Sequence, residues 1–173
     1  HLGLVLAMFG AVAAERHGHL IALGGSLAGW GGQRLQAAAR TLAYASAALV
    51  GGMLGWASWQ FVASEIGHAP PLAYGVPVWW VQAVLPLGFL LLAARLAARL
   101  QPGTWARLAW AVALPLAGWW LAAWLDGRSL PLGAVLVGAL AMLLTGAPVF
   151  AVLGALALGL FATEALPLAS VAL

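Results

Sequence analysis

Four histidines and four carboxylates are the side chains of this sequence best suited to ligating or proton-moving chemistry. His17 and His19 stand two residues apart and His68 far downstream, and two neutral imidazoles at matching depth can hold a haem iron. Glu15, Glu65, Asp126 and Glu164 are widely scattered, so no paired carboxylates for acid–base work can be assembled. A Ser/His/Asp set and a phosphate-binding loop are also missing from the sequence pattern. Cysteine is absent altogether, which removes thiolate nucleophiles, disulfides and Cys-based metal sites. Thr145-Gly146-Ala147-Pro148 is of a different kind: broken helices at membrane depth make ion sites in transporters. These residues support no catalytic, cofactor-binding or metal assignment, and they identify no substrate-binding residue. The pattern is not that of an enzyme.

The elements that must position these groups follow from composition. Only 6% of the 173 residues are charged, against roughly 25% in a soluble domain. Hydrophobic residues make up 65% and mean hydropathy is +1.03, too apolar to cover a water-facing surface. Ten tryptophans against two tyrosines add rings favoured at membrane interfaces. The high pI, about 10.7, comes from seven arginines without a lysine, at a net charge of only +3. Scattered arginines make no nucleic-acid patch, and no nucleic-acid partner is expected; they act as topology signals. The fold class is therefore all-α: a polytopic helical membrane protein with about five hydrophobic segments and one cytoplasmic interfacial segment.

The first segment, Leu2–Ala14, is about 20 Å of helix, short of a hydrocarbon core of roughly 30 Å. It lacks the basic region that a signal peptide needs ahead of its apolar stretch. It is expected to be the tail of a spanning helix, and the chain a piece of something longer. Four more segments follow: Thr41–Ser64, Val76–Ala94 with Pro86 inside, Leu108–Leu125 with Pro115 inside, and Leu130–Thr163. The last, at 34 residues, is too long for one straight perpendicular crossing. Between the first two spans, Gly24-Gly25 and Gly31-Gly32 argue against an uninterrupted helix. From Gln33, polar Arg34, Gln36 and Arg40 alternate with Leu35, Ala37 and Ala38, which predicts a short helix lying at the interface.

Arginine placement sets orientation. Arg16, Arg34 and Arg40 follow the first span, and Arg95, Arg99 and Arg107 follow the third. The positive-inside rule makes that side cytoplasmic. The chain then enters the cytoplasm after residue 14, exits by 65, returns by 95 and exits again by 126. His17 and His19 fall on the cytoplasmic side and His68 outside, about 30 Å apart. They cannot share one haem, and interfacial histidines in a basic turn are the better account.

Ala47, Gly51 and Gly55, with Ala48 and Gly52 alongside, put small residues at the spacing that lets helix backbones approach. A packing seam is the expectation, with a ligand groove the alternative. Trp56 and Trp59, Trp79 and Trp80, and Trp119, Trp120 and Trp124 sit at one predicted level, as an aromatic belt would. Pro86 and Pro115 each release a carbonyl and kink a helix. Gly146-Ala147-Pro148 either kinks the long last segment or divides it into half-helices. A plain kink is the expectation.

Taken together, the spans and their punctuation resemble a tripartite ATP-independent periplasmic (TRAP) transporter, the small membrane subunit fused to the start of the large one. Gly10-Ala11-Val12-Ala13-Ala14-Glu15-Arg16-His17-Gly18-His19-Leu20 is similar to the basic, His-containing turn after the small subunit's second helix. The family often has an acidic residue after that motif, where this chain has Ala22-Leu23-Gly24. Gly75-Val76-Pro77-Val78-Trp79 and Pro86-Leu87-Gly88-Phe89 resemble its fourth helix. Leu144-Thr145-Gly146-Ala147-Pro148-Val149-Phe150-Ala151-Val152-Leu153-Gly154 resembles the Gly-x-Pro signature of the large subunit's first helix. On that resemblance residues 1–100 form a small-subunit-like domain lacking its first helix. Residues 101–129 form a linking transmembrane helix, and 130–173 the first helical segment of the large-subunit-like domain. A small subunit ending in the cytoplasm and a large one beginning outside need one extra crossing to be joined.

The resemblance implies sodium-coupled uptake of organic anions, commonly carboxylates, across the bacterial inner membrane. It implies a periplasmic substrate-binding protein, the remainder of the large subunit and the lipid bilayer as partners. No cofactor is expected, and the sodium ions of the complete transporter would bind outside these residues. Residues 1–125 are then scaffold. The competing reading is a helical membrane anchor of an electron-transfer or assembly complex.

Overall fold

In the computed structural model, residues 32–66, 78–100 and 103–164 are described. They contain helices and no strand. The predicted span Thr41–Ser64 is part of a longer helix, α1 (Gln33–Glu65), whose 33 residues run about 50 Å. The amphipathic stretch Gln33–Arg40, expected as a separate interfacial helix, instead continues into the span without a break. The Thr41 hydroxyl donates to the Ala37 carbonyl at 2.9 Å, inside that junction. Gly32 marks the start in an extended conformation (φ −62°, ψ 168°), and its carbonyl accepts from the amides of Leu35 and Gln36.

The next span divides into α2 (Val78–Gln82) and α3 (Val84–Ala98). Pro86 has no N–H to give the Gln82 carbonyl, and Leu87 reaches Ala83 only at 3.5 Å, so the helix is interrupted one turn before the proline. α4 (Thr104–Leu125) runs unbroken through Pro115. Its outer face carries Trp105, Leu108, Val112, Leu116 and Trp120, all exposed. Such an apolar, uncovered face belongs in lipid rather than water. α1, the α2–α3 pair and α4 are each long and apolar enough to cross a membrane.

The segment from Leu130 onward corrects the expectation of a plain kink. It folds as two helices, α5 (Leu132–Thr145) and α6 (Val149–Thr163), joined by a tight reversal. The Leu130 amide donates to the Ala162 carbonyl at 3.1 Å, so the segment ends beside where it began. Each arm is only about 21–22 Å long, too short to cross a core of roughly 30 Å alone. It is a helical hairpin.

α1 is the central post. Its buried Ala47, Ala48, Val50 and Ala57 cluster with Leu92, Leu96 and Ala97 of α3, Ala122 of α4, and Ala151 and Leu158 of α6. Three packed elements thus share one helix. That is possible because the contact positions on α1 are nearly all alanine, glycine or serine, which keeps the axes close.

Candidate functional site

The seam expected on α1 serves two interfaces. Gly51 and Gly55 face α3: a Cβ at Gly51 would sit 2.8 Å from the Ala93 Cβ, and one at Gly55 3.1 Å from Leu90. Gly52, one position and about 100° further round the helix, faces α4 instead. A methyl there would run into the Pro115 carbonyl, and one at Gly118 into the Leu49 carbonyl. Backbone meets backbone at this crossing. The sequence placed Gly52 alongside the Gly51–Gly55 spacing but did not single out Gly118, and these two make the closest approach of backbone to backbone. The adjacency Gly51-Gly52 was the available signal, since neighbouring helical positions point to different partners.

The aromatic groups divide as well. Trp59, Trp80, Trp120 and Trp124 are exposed. Trp56 turns inward and meets Trp119 edge-on, with ring centroids 5.1 Å apart and planes at 76°. Such T-shaped pairs are favoured by the ring quadrupoles. The Trp56 Nε1 and the Gln82 Oε1 are buried without a hydrogen-bond partner among the described residues.

At the hairpin tip, Gly146 has φ +79°, the left-handed conformation that a side chain disfavours. The Ala147 amide donates to Met142 at 3.0 Å and the Gly146 amide to Leu143 at 3.1 Å, a Schellman cap that closes α5. Pro148 then opens α6. The Thr145 hydroxyl donates back to the Met142 carbonyl at 2.9 Å, so its proton is already engaged. Ala147 packs with Ala43, Ala139 and Val152. Ala43 lies 22 residues before Glu65, about 33 Å along α1. The tip therefore reaches deep towards the other end of the bundle. Between the hairpin and α1 lies a cavity of about 340 Å³ lined by apolar groups such as Val50, Met53, Leu130, Val135 and Met142. It offers no charged donor for a carboxylate.

Charge is segregated by helix ends. Arg34 and Arg40 start α1, Arg95 and Arg99 end α3, and Arg107 starts α4. Among the described residues no carboxylate lies at that end. Glu65, Asp126 and Glu164 all sit at the opposite helix ends, where the Arg128 guanidinium stacks 3.9 Å over the Trp124 ring. Among the described residues no group of three potential metal ligands converges. His1, His17, His19 and His68, with the first span Leu2–Ala14, lie outside the described residues.

The described residues thus combine a post of small residues, apolar flanking helices and one cationic end. Residues 1–102 match the family of tripartite ATP-independent periplasmic transporters, DctQ component. The chain belongs to that family. DctQ is the small membrane subunit of these transporters, a transport component rather than an enzyme family. No curated protein and no solved structure matches the chain. The DctQ match ends just before α4, so α4 and the hairpin lie beyond the matched part.

Proposed function

We propose that residues 1–125 of this DctQ-family chain are scaffold in a sodium-coupled, binding-protein-dependent transporter of organic anions, most simply carboxylates, in the bacterial inner membrane. In this reading residues 130–173 begin the large membrane subunit, joined through a linker at 101–129. The observation that carries it is α4: an additional apolar crossing placed directly after the DctQ match. A small subunit ending in the cytoplasm needs such a crossing before a large subunit that starts outside. The arginine-rich end then faces the cytoplasm, and the acidic end faces the periplasm and the binding protein.

The scaffold role rests on what the helices offer. No charge lies between Thr41 and Ser64 or between Val76 and Ala94. Sodium needs several converging oxygens, and a carboxylate needs cationic or helix-end donors. The hairpin tip has its threonine proton engaged. Calorimetry on the purified chain, titrated with short-chain carboxylates with and without sodium, should give no saturable heat. Saturable sodium-dependent binding would move the transport site into these residues and overturn the scaffold assignment.

A further inference from the structure

Within Val76–Ala94, Gln82 is the one residue with an amide, hydroxyl or charged side chain. It stands four residues before Pro86, and the carbonyl at that distance from a proline loses its helical amide. The carbonyl freed in this span is therefore Gln82's own. Here the helix breaks at Ala83. Gln82 also brings a second acceptor to the break. The residue is only 8% exposed, and its Oε1 has no hydrogen-bond partner among the described residues. Proline alone does not produce this arrangement: α4 runs unbroken through Pro115, where the residue four positions earlier is Ala111, without a side-chain acceptor.

The register of α1 against α3 sets what lies opposite. A Cβ at Gly51 would meet Ala93, and one at Gly55 would meet Leu90 and lie 3.9 Å from the Pro86 carbonyl. Contacts thus move towards the start of α3 as they climb α1, and the next turn of α1 reaches the α2–α3 break. On the same face as Gly55, three residues on, that turn carries Ser58, which is 2% exposed. A hydroxyl and two acceptor oxygens suit a ligand that donates twice and accepts once. Three neutral oxygens are few for a cation, and the nearest carboxylate on α1, Glu65, is seven residues beyond Ser58, about 10 Å along the helix. Water meets all three groups, as buried waters do, and water inserted at a proline is a known way to satisfy a freed carbonyl in a membrane helix.

We propose that a single water molecule is bound at the α2–α3 break, donating to Oε1 and to the main-chain carbonyl of Gln82 and accepting from the Ser58 hydroxyl. Gln82 lies about 6 Å along the helix from Val78 at the start of α2, so the water exchanges with the aqueous phase at that end. It takes the place of the missing amide and joins α2 to α3 through a solvent molecule.

Water-edited solid-state NMR of the nitrogen-labelled full chain in liposomes tests this, the Gln82 side-chain signal being identified by its loss in Q82L. Magnetisation from water should reach that side chain severalfold faster than it reaches the amides of Ala47, Ala48 and Ala93, which are 0% exposed. P86A, which returns an amide to the Gln82 carbonyl, and S58A, which removes the donor, should each slow the transfer. Replacing sodium by choline in the buffer should leave it unchanged. Q82L should lower the melting temperature, because it takes a partner from a bound water rather than relieving an unpaired oxygen. Transfer no faster than to the three alanines, a rate that either variant leaves unchanged, a sodium-dependent rate, or a raised melting temperature for Q82L would each overturn the proposal. Transport does not enter this readout, so its failure would leave the transporter reading standing.

Discussion

Gly52→Leu and Gly118→Leu are expected to abolish recovery of folded protein, each costing more than about 3 kcal/mol. Over-packing a well-packed core costs about 1–3 kcal/mol when side chains can shift. Here the obstacle is backbone, the Pro115 carbonyl for Gly52 and the Leu49 carbonyl for Gly118, and moving it means separating α1 from α4. Gly55→Leu faces the Leu90 side chain and should be destabilising by less, because a leucine rotamer can give; Gly51→Leu meets the Ala93 Cβ, which moves only with its backbone, and should fall between the two. Gly138→Ala meets nothing within 4 Å and removes a glycine from a helix interior, so it should be neutral or stabilising by up to about 1 kcal/mol. Yield and melting temperature in detergent check the whole series. Equal melting for Gly52→Leu and Gly138→Ala would remove the α1–α4 crossing from the account.

Much of this arrangement was legible in the sequence, for a simple reason. Uncharged runs as long as Thr41–Ser64 have one low-energy place to be, and Arg95, Arg99 and Arg107 mark the same side as Arg34 and Arg40. The start of α1 was harder to read. Gln33–Arg40 has the polar–apolar alternation of a surface helix, and nothing in that alternation distinguishes a separate helix from the first turns of a longer one. Continuity is a matter of backbone, and the sequence contains no breaker between Gln33 and Thr41 to end the helix. The glycine pair Gly51-Gly52 identified a seam but not its two sides, because the partner of Gly52 is a carbonyl. Backbone atoms have no signature in sequence.

Residues 146–148 illustrate the remaining limit. Glycine followed two positions later by proline suits a kink and a reversal equally. The outcome depends on Gly146 taking the left-handed conformation and on α6 finding a partner. Gly154 lets α6 approach Val50 and Leu54 of α1, and Gly159 lets it approach Val135 of α5. Long-range packing decides here.

The hairpin gives the second large effect, an all-or-none one. Single cysteines at Gly127 and Glu164 should react with a membrane-impermeant maleimide from the same side, and a cysteine at Gln101 from the opposite side. The Leu130–Ala162 hydrogen bond places both ends of the hairpin together, beyond the end of α4. One kinked crossing over 130–163 would put Glu164 with Gln101 instead. Labelling of Glu164 and Gln101 from a common side would therefore rule out the hairpin in the membrane.

A scaffold role within a binding-protein-dependent transporter is best tested by uptake into proteoliposomes. The full-length polypeptide would be reconstituted and given a radiolabelled organic carboxylate with its periplasmic binding protein. Uptake should require both the binding protein and an inward sodium gradient. Gly51→Leu should lower its rate while leaving the sodium-to-substrate ratio unchanged, because on the proposed scaffold reading α1 packs the neighbouring helices and supplies no ion ligand. Uptake that proceeds without the binding protein, or a sodium ratio altered by Gly51→Leu, would contradict the account.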